Sequence, residues 1–189
     1  MQRPDMRAHV LKAALQAIED VGFERLRVKD IADRAGMSTG HVLYYFGSRD
    51  RLLVSTLLLS EADLDERRGA ELDGLPPEAA LARLVELYLP TSAQDVRWRL
   101  WAQVIAKPPS DAGTLARLDG FFRSWAAELA GIARRLSPGL DADDFAVRHC
   151  RLMDGLASDV LLGTGDAARA RATALAAMRR ELATAGRSS

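Results

Sequence analysis

The chain has 189 residues, a length that suits one large domain or two small ones. Hydrophobic residues make up 48% of it, with many alanines and leucines, which provides for a sizeable core and favours helices over strands. The 26 Lys and Arg residues balance 26 Asp and Glu residues, and this zero net charge argues against a protein that coats nucleic acid in general.

The sequence also bounds the compartment. A single cysteine, Cys150, excludes an intramolecular disulfide and suits a reducing environment. The first fifteen residues, MQRPDMRAHVLKAAL, lack the apolar core and cleavage site of a secretory signal. No apolar run reaches the length needed to cross a bilayer. We therefore expect a cytoplasmic protein.

Helical periodicity runs through nearly the whole chain, and glycine or proline separates most of the periodic segments. No convincing strand, repeat or low-complexity segment interrupts it. The fold class predicted is all-α, with nine helices at about residues 5–20, 28–35, 39–45, 49–72, 77–89, 92–107, 111–136, 141–163 and 166–185.

The stretch IADRAGMSTGHVLYYFGSRDRLL (31–53) predicts a helix-turn-helix. Gly36 allows the turn a positive φ, and Ser38 is a good N-cap for the following helix. The free N–H groups at that helix start attract phosphate or a base edge, and Gly40 lets DNA approach closely. A recognition helix over residues 39–45 would lie in the major groove.

This segment, from about Arg7 to Leu53, resembles the DNA-binding domain of TetR-family repressors. The order of Gly22-Phe23, IADRAGMSTG, YYF and Ser-Arg-Asp matches that family. The resemblance implies a nine-helix TetR-like repressor, with a helix-turn-helix domain at 1–48 and a ligand-binding and dimerisation domain at 49–189, linked by helix 49–72. It places DNA contacts at Lys29, Ser38, Thr39, Gly40, His41, Tyr44, Tyr45 and Arg49.

Alternatives stay open within that set. His41 is otherwise an ordinary surface histidine, Lys29 a solvated lysine, and one of the two tyrosines a core residue. Many relatives carry a tyrosine that touches phosphate where this chain has Leu43. Leu43 would instead pack inward or against a thymine methyl. Some family members similar to choline-responsive BetI repressors also lack that tyrosine.

The rest of the chain resembles the BetI-type subgroup in MDGLASDVLLG (153–163), RWRLWAQV (97–104) and FFRSWAAEL (121–129). The segments 141–163 and 166–185 are apolar or small over much of their surface. They would pair with the same segments of a second chain in a twofold four-helix interface, or would simply cover the core.

Aromatic residues of the second domain are candidates for an effector pocket, with an acid beside them. A pocket lined by aromatic rings suits a cation such as a quaternary ammonium. An aromatic or apolar effector is the alternative. Tryptophans at helical spacing are also ordinary core residues. The candidate effector residues are Trp98, Trp101, Phe122, Trp125 and Asp154.

Two other classes of function compete with a ligand-responsive repressor. Enzymatic motifs are missing, since His9, His41 and His149 are scattered and no Gly-rich phosphate loop or Gly-x-Ser-x-Gly occurs. The acidic cluster at residues 141–144 indicates a helix start, so we expect neither an enzyme nor a cofactor or metal. A ligand-independent DNA-binding protein is the second rival, against which the large aromatic domain argues.

Overall fold

The computed structural model describes residues 6–185, and within them the chain forms nine α-helices and no β-strand. The all-α, nine-helix prediction is therefore confirmed for this part of the chain. The helices are α1 (Met6–Val21), α2 (Val28–Arg34), α3 (Thr39–Phe46), α4 (Arg49–Leu72), α5 (Pro77–Tyr88), α6 (Val96–Ala106), α7 (Ala112–Leu136), α8 (Ala142–Leu162) and α9 (Ala167–Ala185). None of the helices within residues 6–185 combines the length and the hydropathy of a membrane-spanning segment.

Local chemistry sets the helix ends where the sequence indicated. Gly36 has φ +65° in the turn after α2, a conformation that side chains rarely adopt. Asp141 accepts the N–H of Asp144 at the start of α8, so part of the acidic cluster is a helix cap. Gly163 ends the same helix with φ +72°.

The start of α6 differs from the sequence prediction, which placed it at residue 92. The helix begins at Val96, and residues 92–95 form a turn. Asp95 accepts hydrogen bonds from the N–H and hydroxyl of Thr91, and the hydroxyl of Ser92 accepts the N–H of Gln94. These side chains take up the backbone donors that a longer helix would use, which favours the turn.

The chain divides into two compact units, and unit 1 comprises Met1–Asp63 and Val96–Leu115. It contains α1 to α3, most of α4, and α6. Its core is built from aliphatic and aromatic side chains, among them Val10, Ile18, Ile31, Val42, Phe46, Leu52 and Leu57. Helix α6 packs against α1 inside this unit.

Unit 2 comprises Leu64–Asp95 and Ala116–Ser189, and contains the end of α4, then α5 and α7 to α9. Helix α9 packs against both α8 and α5. Fully buried side chains from these helices form its core, including Leu81, Leu84, Leu129, Phe145, Met153 and Met178. Helix α4 belongs to both units, because it is continuous from Arg49 to Leu72.

Candidate nucleic-acid interface and aromatic clusters

The geometry of the turn between α2 and α3 is that of a capped helix-turn-helix. The N–H of Met37 donates to the carbonyl of Ala32 across 2.9 Å, which closes the turn after Gly36. Ser38 lies in extended backbone, and its Oγ accepts the N–H of His41 at 3.1 Å. The remaining N–H groups of the first turn of α3 are free to meet an acceptor outside the helix.

Helix α3 presents two distinct faces. Val42 and Phe46 are buried in unit 1. On the other side Gly40 and His41 are exposed, and the ring of Tyr44 is 83% exposed. Two further side chains, Thr39 and Leu43, are half-buried, as is Tyr45. The candidate DNA contacts of α3 therefore lie mostly on its solvent face, while the helix is anchored by the opposite one.

Three aromatic rings on α3 contact one another. The ring of His41 stacks on that of Tyr45 with centroids 6.4 Å apart, and Tyr44 meets Tyr45 edge-on at 5.8 Å. Such contacts order the rings before any partner binds. Tyr44 is the more exposed of the two tyrosines, and Tyr45 is half-buried.

Arg7 is a residue that the sequence did not single out. Its Nη1 donates to the carbonyl of Tyr45 at 3.0 Å, and its guanidinium lies 4.8 Å from the ring centroid of Phe46. Through these contacts α1 holds the last turn of α3. The sequence predicts that Arg7 lies in the first turn of α1, but it does not reveal that its partner is Tyr45, 38 residues away.

The two basic candidates outside α3 have partners within unit 1. Lys29 forms an exposed ion pair with Asp33 at 2.6 Å, and the hydrogen bond to that carboxylate raises the pKa of the Lys29 ammonium. The guanidinium of Arg49 lies 5.8 Å from the ring of Phe23. Lys29 would thus have to exchange Asp33 for a phosphate on binding DNA.

The tryptophans of unit 1 lie beside a buried carboxylate. Glu61 is 1% exposed, and its Oε1 accepts both the indole N–H of Trp101 at 2.6 Å and Nη1 of Arg97 at 3.1 Å. Trp98 is 8% exposed, and the guanidinium of Arg97 lies 5.3 Å from its ring. Both tryptophans are therefore buried side chains of unit 1, and sequence periodicity did not reveal Glu61.

The other candidate effector residues lie in unit 2 and are connected to one another. The hydroxyl of Tyr88 donates to Oδ1 of Asp154 at 2.6 Å, and its ring meets that of Trp125 edge-on at 5.0 Å. Nη1 of Arg151 binds Oδ2 of Asp154 at 3.1 Å. The same guanidinium lies 5.2 Å from the ring of Phe122.

Helices α8 and α9 have an apolar inner face and an outer face rich in apolar and small residues. Val147, Leu152 and Leu162 of α8 are 53%, 37% and 76% exposed. Three exposed alanines on α9 are spaced four residues apart, at Ala168, Ala172 and Ala176. Small and apolar side chains at helical spacing on two adjacent helices are the pattern of a helix-packing surface.

No group of three or more His, Cys, Asp or Glu side chains among residues 6–185 is placed to hold a metal ion. The capped helix-turn-helix of unit 1, attached through α4 to a larger helical unit, is the architecture of a DNA-binding transcriptional regulator.

Comparison with known proteins agrees with this class. Residues 10–56 match the family of bacterial regulatory proteins of the TetR family, and residues 77–185 match the C-terminal family of BetI-type transcriptional repressors. The chain belongs to the TetR family, with a BetI-type C-terminal domain. It is thus a DNA-binding transcriptional repressor.

Several relatives are similar over most of their length. The chain is 31% identical over 162 residues to the transcriptional regulator BetI 2 of Chromohalobacter salexigens, covering 81% of this chain and 76% of the relative. It is 29% identical over 153 residues to the repressor NicS of Pseudomonas putida, covering 78% and 71%. A transcriptional regulator from Saccharomonospora viridis, solved in complex with choline, has a TM-score of 0.72 and 27% identity, covering 96% of this chain and 95% of that one.

Proposed function

We propose that this protein binds operator DNA through α3 and its flanking residues, and that a small-molecule effector releases it. The observation that carries the proposal is the outward face of α3, where Ser38 caps the helix while His41 and Tyr44 stand exposed. The helix-turn-helix domain that we propose spans residues 1–48, and residues 49–189 form the effector and dimerisation domain.

The contacts divide into two kinds. His41, Thr39 and Gly40 lie at the start of α3, where a recognition helix meets base edges. The N–H groups beside Ser38, the tyrosine hydroxyls and the cations of Lys29 and Arg49 reach phosphates, which position the protein without reading sequence. The cytoplasm is the compartment in which such a protein meets its DNA.

One recognition helix provides little affinity, so the functional unit that we propose is a homodimer. Residues 141–163 and 166–185 would form its four-helix interface, because Val147, Leu152 and Leu162 expose apolar area there. A twofold pair places two recognition helices roughly 34–36 Å apart, the spacing of one DNA turn. The apolar outer face of α8 supports this interface more strongly than the sequence pattern alone.

The effector would change the distance between the two recognition helices of the dimer. Phe122, Trp125 and Asp154 of unit 2 are the proposed effector contacts there, and Trp98 and Trp101 those of unit 1. Helix α4 is the proposed lever, because it is continuous from Arg49 into unit 2. To shift the dimer from 1:99 to 99:1 in favour of the released state, the effector must prefer that state by about 5.5 kcal/mol.

DNA binding is tested by fluorescence anisotropy with the DNA upstream of the protein's own gene, at two salt concentrations. We expect salt-sensitive, sequence-selective binding that His41→Ala weakens by about 1–3 kcal/mol and relaxes in specificity. Tyr45→Phe and Tyr44→Phe each remove a phenolic hydroxyl that would donate to a phosphate, so each should weaken binding to all sequences alike.

The matched control for the basic residues is Arg117→Ala, which removes one exposed positive charge from α7 of unit 2. It should leave the salt slope unchanged, whereas Arg49→Ala should reduce it by about one. If the upstream DNA is not bound, selection from random duplexes supplies the operator. Failure of that selection as well would contradict the DNA-binding function of α3.

A repressor that ignores small molecules is the alternative. It is separated from the proposal by thermal unfolding with a panel of small molecules, since a ligand that binds only the folded state raises the midpoint. The buried aromatic and charged side chains of unit 2 favour the effector-responsive form.

A further inference from the structure

Two arginines of unit 2 already occupy the aromatic rings that the sequence marked as a box for a cation. The guanidinium of Arg68 lies 4.2 Å from the ring centroid of Trp125, and that of Arg151 lies 5.2 Å from the ring of Phe122. A guanidinium at this distance makes the cation–π contact that a quaternary ammonium would otherwise make. An incoming cation would have to displace a charge of its own sign.

The carboxylate in this region is also engaged. Of the two oxygens of Asp154, Oδ1 accepts the hydroxyl of Tyr88 and Oδ2 accepts Nη1 of Arg151. An external ammonium would compete with both donors for the same acid. The local chemistry of these side chains therefore disfavours a cationic ligand.

Arg68, in contrast, is suited to an anionic partner. It is 4% exposed, and its Nη2 alone makes the hydrogen bonds to Asp65 and, at 2.6 Å, to the hydroxyl of Ser124. Its Nε–H is buried and has no acceptor among the protein atoms of residues 6–185. A buried donor without a partner costs free energy, and the cost is higher when the group is charged.

The two partners of the Arg68–Asp65 ion pair differ in their exposure to solvent. The carboxylate of Asp65 is 43% exposed, so water screens its charge, whereas the guanidinium is almost fully enclosed. The hydroxyl of Ser124 also donates to Asp65 at 2.8 Å, which further satisfies the acid but not the base. The enclosed partner therefore has an unused donor and a positive charge that is less well solvated.

We propose that unit 2 recognises an effector that carries a carboxylate, with Arg68 as the anion-recognising residue. This inference rests on the proposed effector response and specifies its ligand class. A guanidinium presents its N–H donors in one plane, in a geometry that matches the two oxygens of a carboxylate. The Nε–H and an adjacent Nη–H form one such pair of donors.

The same contact ties recognition to α4. Arg68 lies in the part of α4 that belongs to unit 2, and both Ser124 and Trp125 lie on α7. An effector carboxylate takes the place of Ser124 or Asp65 on the guanidinium and so changes how this end of α4 is held against α7. Differential contact in two states is what a ligand needs in order to shift a conformational balance.

The experiment compares matched acids and cations on the full-length protein. The carboxylates are benzoate, phenylacetate and hexanoate, and the cations are benzyltrimethylammonium and choline. Thermal unfolding and titration of the arginine Nε–H resonances in an ¹H–¹⁵N spectrum report binding, and comparison with Arg68→Lys assigns the Arg68 signal. Arg68→Met tests affinity, and Arg123→Met, which removes an exposed arginine 72% open to solvent on α7, is the control.

We expect at least one carboxylate to raise the unfolding midpoint and shift the Arg68 Nε–H resonance. Arg68→Met should weaken that binding tenfold or more, Arg68→Lys should retain part of it, and Arg123→Met should leave it unchanged. If Arg68→Met does not fold, Arg68→Lys and the wild-type resonance still decide the outcome.

Three results would overturn the inference. These are an Arg68 resonance that no carboxylate moves, carboxylate affinity that survives in both Arg68 variants, and stabilisation by the ammonium probes that equals or exceeds that by the acids. Operator anisotropy, measured without any effector, tests the DNA-binding function separately. A protein that binds operator but not carboxylates therefore refutes the ligand class alone.

Discussion

The indole N–H of Trp101 donates to Oε1 of Glu61 across 2.6 Å, and the carboxylate that accepts it is 1% exposed. Arg97 binds the same oxygen, so this buried acid joins α4 to two side chains of α6 within unit 1. Two further ion pairs hold α6 and the residue that follows it, from Arg99 to Glu24 and from Lys107 to Asp50. Helix α6 is therefore part of the structure that carries α3.

Replacement of Glu61 by alanine should destabilise the protein strongly. It leaves the guanidinium of Arg97 and the indole N–H of Trp101 without their shared acceptor in a buried place, and the loss of one partner of a buried ion pair costs about 3–5 kcal/mol. Glu61→Gln keeps the shape and one acceptor, so we expect a smaller loss, about 1–3 kcal/mol. Urea unfolding of each variant measures both values.

The control for this pair is Glu66→Gln on the same helix, where the side chain is exposed. Surface substitutions of this kind change stability by less than about 0.5 kcal/mol. Equal stability of the Glu61 and Glu66 variants would show that the buried carboxylate does not hold α4 and α6 together.

Ser38 allows helix capping to be separated from DNA contact. Ser38→Ala removes the acceptor for the N–H of His41 and should lower the free energy of unfolding by about 1 kcal/mol. It should also weaken operator binding. Ser38→Asp keeps an acceptor at the cap but places a negative charge where a phosphate would bind. We expect near-normal unfolding and greatly weakened operator binding from the aspartate variant, measured by urea unfolding and anisotropy. Tight operator binding by Ser38→Asp would place the phosphate elsewhere.

The sequence predicted the fold well because helix signals are local. Glycine at Gly36, serine at Ser38 and aspartate at Asp141 each act within four residues of themselves, and the structure has the expected turn or cap at all three. The one clear boundary error, at the start of α6, arose where Asp95 bonds back to Thr91. Competition from side chains of that kind leaves no trace in hydrophobic periodicity.

The surroundings of the candidate site residues could not be predicted in the same way. Trp101 and Trp125 were identified from the sequence, but their partners Glu61 and Arg68 lie on α4, 40 and 57 positions away. Charged residues on a long helix usually face water, so burial of these two is a tertiary effect. The acidic effector that we propose is inferred from Arg68, and the aromatic pattern of the sequence did not indicate it.

Lys29 should contribute to DNA binding only weakly while Asp33 holds it. The ion pair is exposed at both ends, so its effect on stability is small, but a phosphate must displace the carboxylate. We expect Asp33→Asn to tighten operator binding at low salt, and Lys29→Met to abolish that gain. Anisotropy at two salt concentrations measures both, and an Asp33→Asn protein with unchanged affinity would mean that Lys29 does not reach DNA.

Cys150 should resist thiol reagents in the folded protein. Burial raises the pKa of its thiol to about 12, so the reactive thiolate is scarce at pH 8, and the side chain is only 5% exposed. We expect modification by a disulfide reagent to follow unfolding, with rates that rise steeply with urea concentration. Rapid labelling in native buffer would mean that α8 opens far more readily than its packing indicates.

Glu181 should make the packing of α8 on α9 sensitive to acid. Its carboxylate accepts two hydrogen bonds from Arg148, the shorter at 2.7 Å, and one from His149 at 3.1 Å. The hydrogen bonds to Arg148 are the largest cause of a lowered Glu181 pKa, and His149 lowers it further. The folded state thus binds this proton less readily than the unfolded state does.

The sign of the effect follows from that difference. Above the ordinary glutamate pKa of about 4.3 the stabilisation is complete, and it is lost as pH falls through the lowered folded-state value. Glu181→Gln removes this contribution, so the wild-type advantage in urea unfolding should be constant from pH 7 to about 5 and shrink below that. Glu66→Gln, which also removes one carboxylate, should show no such change. A wild-type advantage over Glu181→Gln that stays constant down to pH 3 would mean that Arg148 does not hold the carboxylate in solution.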